Sequence, residues 1–380
     1  MAAYFDSWRD SVWLVQPAGT YGPSQLCRRH HTRNRGYGRK TQFTAAQHAT
    51  VTAQPRSTNG QLSPHQKIAK AFAPATIANL GPGFDWMGCA VEGEGDVVIA
   101  EAMPDLPGGE VVIKSIIGDD GRLPLVAANN CVGIAAIETI KLLGDIECGV
   151  ALTLIKGLPL GSGMGSSAAS AAAGAVAVNA LFGSPLSKEE LILPGLASEA
   201  TVSGYHADNI APALLGGFVL VRGLKPLDVR QLLFAKGDLY FVLVNPKFEA
   251  PTAEMRAVLP KMVPMLSAIN NSAMGGSLVA GILIGDAALV GQSLDSDVII
   301  EPVRGPLIPG FAAVKAAAKA AGAFGCTISG AGPTCVAVVD NPQLGQTVAE
   351  AMVKAFEQEG KLEVNSARVV RLDQQGARTI

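Results

Sequence analysis

The chain is short of most features that announce a specialised class of protein. Charge is sparse and balanced: 30 Lys and Arg stand against 32 Asp and Glu in 380 residues, a formal net charge of -2. That excludes a nucleic-acid binder working through overall charge. The six cysteines, at 27, 89, 131, 148, 326 and 335, include no C-x-x-C pair and no Cys/His spacing suited to zinc. In so apolar a chain they read as reduced, buried thiols rather than a disulfide framework, which points to a soluble protein of a reducing compartment. Long hydrophobic runs are missing as well. The most apolar stretch, 168–182, is Ala-rich and interrupted by Ser and Asn, so no membrane partner is expected. What remains is 48% hydrophobic and 16% charged, with 43 Gly and 23 Pro. That profile is globular, and the length suits two or three domains.

The little charge there is falls unevenly. Residues 1–66 hold eight Lys and Arg against Asp6 and Asp10, leaving 22 basic and 30 acidic residues for the rest. From Ser11 to Lys70 there is no acidic residue, while Arg28, Arg29, Arg33, Arg35, Arg39 and Lys40 cluster among Ser, Thr, Gln and Gly. The stretch lacks hydrophobic periodicity and the apolar core of a secretory signal. An Arg-rich, hydroxyl-bearing, acid-poor leader has the composition of an organelle transit peptide, with a plain basic tail as the alternative. Residues 1–66 are therefore expected to be disordered and outside the fold. Four of the five histidines lie there (30, 31, 48 and 65), which leaves His206 alone in the remainder.

Past the leader, strands are expected at 96–101, 110–117, 150–155, 217–222, 239–244, 325–329, 334–339 and 367–371. Helices are expected at 130–144, from 166 to Phe182, and at 252–259, 272–284, 311–323 and 343–359. The two types mix without strict alternation and without internal repeats, so the fold class is α+β.

Pro159-Leu160-Gly161-Ser162-Gly163-Met164-Gly165-Ser166-Ser167-Ala168 opens directly into the Ala-rich helix. Glycines allow a tight bend and let amides approach a ligand unobstructed. A helix starting just after the bend aims its unpaired N–H groups and positive dipole end at the loop, which makes an anion site. Neither the Rossmann fingerprint nor a Walker A loop fits. A helix cap serving only tight packing is the other reading.

Three motifs in order, Pro74-Ala75-Thr76-Ile77-Ala78-Asn79-Leu80-Gly81-Pro82-Gly83-Phe84-Asp85, the loop at 159–168 and the turn Ile328-Ser329-Gly330-Ala331-Gly332-Pro333-Thr334, resemble those of the GHMP kinases. The stretches Tyr205–Ala213 and Glu301–Gly310 resemble the homoserine kinase branch in particular, and the leader looks like that of its plant plastid members. The resemblance spans about 68–375 and implies a two-domain GHMP kinase fold. Its ATP-binding half, like ribosomal protein S5 domain 2, would cover 67–222 and a ferredoxin-like half 223–380, with the site between them. It implies ATP, Mg²⁺ and L-homoserine as ligands, O-phosphohomoserine for threonine synthesis as product, a chloroplast stromal location and a possible homodimer. A mevalonate-type kinase and a non-catalytic ATP-binding regulator on the same scaffold are the alternatives.

The same resemblance assigns residues. Pro159, Gly161, Ser162, Gly163, Gly165, Ser166, Ser167 and Ala168, with Gly330 and Gly332, would hold the nucleotide; Lys156 could reach a phosphate, and Asn129 and Asn130 would lie by adenine. Ser166, Ser167 and Glu199 would coordinate Mg²⁺. Asn79, Asp85, His206, Asn209, Arg256 and Arg304 would bind the amino acid, the arginines as planar forks for its carboxylate. Asn209, His206 and Glu199 are the catalytic candidates, although an amide cannot take a proton at neutral pH. Positioning and charge stabilisation would then carry the transfer. Asp208 is expected to be structural.

Overall fold

The leader contributes more to the fold than its composition suggests. In the computed structural model, which describes residues 48–51, 61–202, 204–235 and 237–380, the strand His48–Val51 (β1) pairs antiparallel with Leu227–Arg230. Leu62 N–H donates to Asp145 O at 2.7 Å and His65 N–H to Leu181 O at 2.9 Å. The expectation that all of 1–66 stands outside the fold is corrected for these two pieces. A sheet edge offers N–H and C=O groups that pair with any extended segment, so the pairing needs no hydrophobic period. The arginine cluster lies outside the described residues.

Ile68–Ala78 (β2) and Met87–Met103 (β3) form a long antiparallel pair around the loop 79–86. β2 runs through Pro74 because the register shifts between Pro74 and Ala75, where a missing ladder donor does no harm. β3 starts well before the expected 96. Its glycines hide it from a propensity reading, and Gly88 is needed because a Cβ there would lie 1.9 Å from Asp208 O. Val111–Ile117 (β4), the helix Cys131–Leu143 (α1) and Gly149–Ile155 (β5) follow; β5 lies antiparallel to β3 and parallel to β4.

Ser166–Leu181 (α2) is buried at every position but Ser167. Its alanines let it sit against β2, β3 and α1 at close range. Lys188–Val202 (α3), Ile210–Leu215 (α4), Phe218–Leu224 (β6) and Leu227–Leu232 (β7) complete this half. β6 and β7 extend the same sheet, so the expected division at 222/223 falls inside β6.

The second half begins at Tyr240–Pro246 (β8), followed by Thr252–Ala257 (α5), Met265–Ile284 (α6), Ala287–Leu294 (α7), Glu301–Arg304 (α8) and Phe311–Ala320 (α9). Gly325–Ile328 (β9), Cys335–Val339 (β10), Pro342–Ala355 (α10) and Val364–Arg371 (β11) then close a four-stranded antiparallel sheet in the order β11-β8-β10-β9. Counted from β8 the spatial order is 4-1-3-2, with helices after the first and third strands, which is the ferredoxin-like arrangement expected. Arg378–Thr379 (β12) returns to pair with Ala71 and Phe72 of β2.

α6 corrects the expectation that no stretch has a spanning helix's length and apolarity: its mean hydropathy is 1.2 and only 22% of the window is buried. It starts earlier than the expected 272, with Met265, Leu266 and Ile269 exposed. Its inner face meets the protein, where Gly275 abuts Trp86 and Asn271 donates to Asp297. Among the described residues the five cysteines are free thiols, four of them buried.

Candidate active site

The glycine loop takes its shape from three left-handed glycines in alternation: Gly161, Gly163 and Gly165, with φ of 64°, 78° and 66°. A Cβ on Gly163 would lie 2.5 Å from Ser329 O and 2.6 Å from Gly332 O, so the loop packs backbone to backbone against the turn at 328–334. Ser329 Oγ donates to Gly163 O at 2.7 Å, and Thr334 Oγ1 to Ser162 O at 2.6 Å. Gly165 is the N-cap of α2 and has no side chain to bond the first turn of amides. Those amides, with the dipole's positive end, adjoin a cavity of about 340 Å³.

Most of the expected residues line this cavity, including Gly161, Ser162, Gly163, Gly165, Gly330 and Gly332. Two do not. Pro159 faces a second cavity behind the loop, and the Ala168 side chain is fully buried on the core face of α2. Lys156 lines the wall, but its ammonium is committed elsewhere. Its side chain is 1% exposed and ion-pairs with Asp96, while its Nζ donates to Ser166 Oγ at 2.7 Å, Ser170 Oγ at 2.9 Å and Ser166 O at 3.0 Å. Lys156 therefore braces the start of α2 instead of reaching for a phosphate. Ser166 is drawn into the same network, since its hydroxyl also donates to Leu158 O at 3.3 Å. Its hydroxyl is thus already engaged on both its donor and an acceptor side.

Ser167 differs. It is the one α2 residue facing out, and its Oγ donates to Glu199 Oε1 at 2.7 Å. Glu199, only 3% exposed, comes from α3, a helix that the expected elements missed. A hydroxyl and a buried carboxylate beside an anion-binding loop are hard oxygen donors. They fit Mg²⁺, which keeps few protein ligands and fills its octahedron with water and phosphate oxygens. Among the described residues no cluster of three His, Cys, Asp or Glu offers an all-protein cage. Asn129 lines the wall with Leu123 and Pro124. Asn130 caps α1 through its Oδ1 and donates its Nδ2 to Pro124 O at 2.8 Å, so it holds the wall that it also lines.

Charged groups also converge on this cavity. Arg256 forks onto Asp85, with N···O distances of 2.6 and 3.2 Å. Arg304, 2% exposed, donates Nε to Met255 O at 2.9 Å and one terminal nitrogen to Gly330 O at 3.3 Å. Both guanidiniums stand over the Phe84 ring, at 5.4 and 4.9 Å from its centroid. Burial, with Arg256 second, pulls Arg304 down to about 10, so it stays charged at neutral pH. Asn79 donates to Gly330 O at 2.8 Å and accepts from Asp85 N–H at 3.0 Å, which sets the loop that carries Asp85.

His206 Nδ1 lies 3.5 Å from Asp85 Oδ2. Burial holds its pKa below the usual histidine range; Asp85 opposes this and the two arginines add to it, so the imidazole is neutral at pH 7. Asp208, expected to be structural, lines the cavity at 3% exposure. Burial, then Asp85, push its carboxyl up to about 7 from 3.8, and Glu199 adds to the rise. The native protein therefore takes up this proton more readily than the unfolded chain between about pH 4 and 7. Stability from this group falls as pH rises through that window and levels off above it. In metal-free, ligand-free protein, Asp208→Asn should remove that fall. Melting curves from pH 4 to 8 in which the two proteins keep a constant separation would refute the assignment.

Several contributors carried no local signal: Asp96, Phe84 and the Asp297 carboxylate, which accepts the N–H groups of Ile299, Ile300 and Glu301 and so seats the helix bearing Arg304. Asp96 and Asp297 show themselves only through partners distant in sequence.

The sequence patterns of the GHMP kinases N terminal domain and the GHMP kinases C terminal match residues 130–217 and 278–358. An Arabidopsis thaliana homoserine kinase is 57% identical over 312 residues, covering 82% of this chain and 84% of that protein. One from Pyrococcus furiosus is 40% identical over 293 residues, 77% of this chain and 94% of that protein. A crystal structure of homoserine kinase from Cytophaga hutchinsonii superposes with a TM-score of 0.78 at 42% identity, covering 85% of this chain and all of that one. An L. major mevalonate kinase shares the fold at 19% identity with a TM-score of 0.62, covering 82% and 98% of the two chains. With a glycine loop clamped by its partner turn and two arginines around an aspartate lining one cavity, the chain belongs to the GHMP kinase family and, within it, to the homoserine kinases.

Proposed function

We propose that the chain transfers the γ-phosphoryl group of ATP to the side-chain hydroxyl of L-homoserine, with Mg²⁺ held at Ser167 and Glu199. The observation that carries this is the convergence of Asp85, Arg256 and Arg304 on the cavity. An amino acid brings an ammonium and a carboxylate, and Asp85 with Arg256 and Arg304 is complementary to both. In the ligand-free protein Arg256 satisfies Asp85; a zwitterion can replace that pairing with its own two charges, leaving no buried charge unmatched. The alcohol of a mevalonate-type substrate has no ammonium for Asp85.

In this reading the loop amides and the α2 terminus grip the triphosphate, and Asn129 lies by adenine. Bound Mg²⁺ would offset charge on the phosphates. Asn209 meets the hydroxyl, and a neutral His206 keeps Asp85 in place rather than acting as the base. The hydroxyl oxygen bonds to the γ-phosphorus as the bond from that phosphorus to the bridging oxygen breaks. ADP leaves with the electron pair. Alignment and electrostatics supply the rate, since none of these side chains must take a proton for the bond change to balance.

The Arg-rich leader and the plant relative support a plastid stromal location, with part of 1–66 serving as the transit peptide. Homodimer formation stays an expectation of the family resemblance. Purified protein should release ADP in proportion to added homoserine, and chelating Mg²⁺ should abolish the release. Turnover with mevalonate but not homoserine would overturn the reading.

A further inference from the structure

Thr76 lies fully buried near the end of β2, outside every set of residues assigned to ligands above. Its Oγ1 donates to Asn209 Oδ1 at 2.7 Å, across 133 positions of sequence. Its backbone N–H donates to Met164 O at 3.1 Å, tying the same residue to the glycine loop. Gly165 seals the arrangement. A Cβ there would lie 1.9 Å from Thr76 Oγ1 and 2.9 Å from Asn209 Oδ1, so any side chain at 165 would split the pair.

A threonine hydroxyl can donate or accept, but its one proton needs an acceptor, and for buried Thr76 that acceptor among the described residues is Asn209 Oδ1; a reversed amide would leave the proton unpartnered. With Oδ1 engaged by Thr76, the end of Asn209 left for the cavity it lines is the Nδ2 donor. We propose that Thr76 is a positioning residue, which fixes the Asn209 amide so that it offers N–H and not C=O to the acceptor hydroxyl. This inference rests on the homoserine kinase reading given above.

The orientation matters for the chemistry. A hydroxyl oxygen that accepts from Nδ2 keeps a second lone pair for the γ-phosphorus and keeps its own proton unengaged. As the new O–P bond forms and the old one breaks, that proton passes to an oxygen of the transferred phosphoryl group. A reversed amide would hold the proton in an O–H···O=C bond and keep it from the phosphoryl oxygen. Asn209 without Thr76 would sample both orientations, so the loss should appear in kcat, with substrate binding nearly untouched.

The test is a double-mutant cycle on the full chain, with Thr76→Val and Asn209→Ala singly and together, and Thr76→Ser as the conservative variant. Thr76→Val should lower kcat about 10- to 50-fold, with KM for ATP and for homoserine each within about 3-fold. Thr76→Ser should stay within about 3-fold of wild type, and Thr76→Val should cost nothing further on the Asn209→Ala background. If Thr76→Val melts before the assay temperature, Thr76→Ala takes its place in the same cycle. Unchanged kcat in the valine variant, or an equal loss on both backgrounds, would overturn the proposal, the latter because the hydroxyl would be bracing the loop alone. Wild-type protein is assayed first. Absence of homoserine turnover there would remove the functional reading itself, whereas normal wild-type turnover with a neutral Thr76→Val would remove only this inference.

Discussion

Arg304→Lys should lower kcat/KM for homoserine by about two to three orders of magnitude while KM for ATP moves by less than about 3-fold. Arg304 is 2% exposed, and its fork is held by Met255 O, by Gly330 O and by the face of Phe84. A lysine keeps the charge but loses the planar donor pair, both backbone anchors and the ring stacking. Two lost hydrogen bonds to a charged group, at about 1.5–3 kcal/mol each, cover that range of affinity. The selectivity follows from contacts: Arg304 is held by Met255 O, Gly330 O and the Phe84 ring, and not by the loop at 159–168. Equal losses for both substrates, measured with the melting temperature unchanged, would place Arg304 in the scaffold and not in the substrate site.

Lys156→Met should cost about 3–5 kcal/mol of folding stability, read by denaturant titration. The ammonium and the Asp96 carboxylate are both essentially out of solvent, with side-chain exposures of 1% and 0%. Methionine fills the space but leaves Asp96 charged and buried, with only the Gly157 and Leu158 amides and the Ser170 hydroxyl to hold it. Adding Asp96→Asn should restore much of the loss, because the remaining group is then neutral. If the single variant folded normally and showed only a raised KM for ATP, Lys156 would be a phosphate ligand after all.

What could be seen in the sequence was whatever depends on neighbours along the chain. The loop was legible because three glycines and a helix start stand within a few residues of each other, and backbone geometry needs nothing more. Arg256 and Arg304 were legible only through the motifs around them; by residue type alone each would pass for a surface charge. The fate of Lys156 was hidden because Asp96 lies on a distant strand, and a lysine beside a glycine loop looks like a phosphate contact until that strand is in place. Ser166 and Ser167 look equivalent on paper. Their helical phase separates them, turning one inward to Lys156 and the other outward to Glu199. β3 was cut short by glycines that weaken propensity yet are required where Asp208 comes within van der Waals reach. Thr76 stood inside the first motif with no role assigned to it, since its partner is the amide of a residue in another motif.

The backbone contact between Gly163 and the turn at Ser329–Gly332 bears on how portable such a motif is. The glycines from 161 to 165 permit the curvature, and a wall contributed from residues 329–334 pins it. Grafted onto a foreign scaffold, that stretch would keep its spelling and lose the two hydrogen bonds and the backbone contact that pin it here.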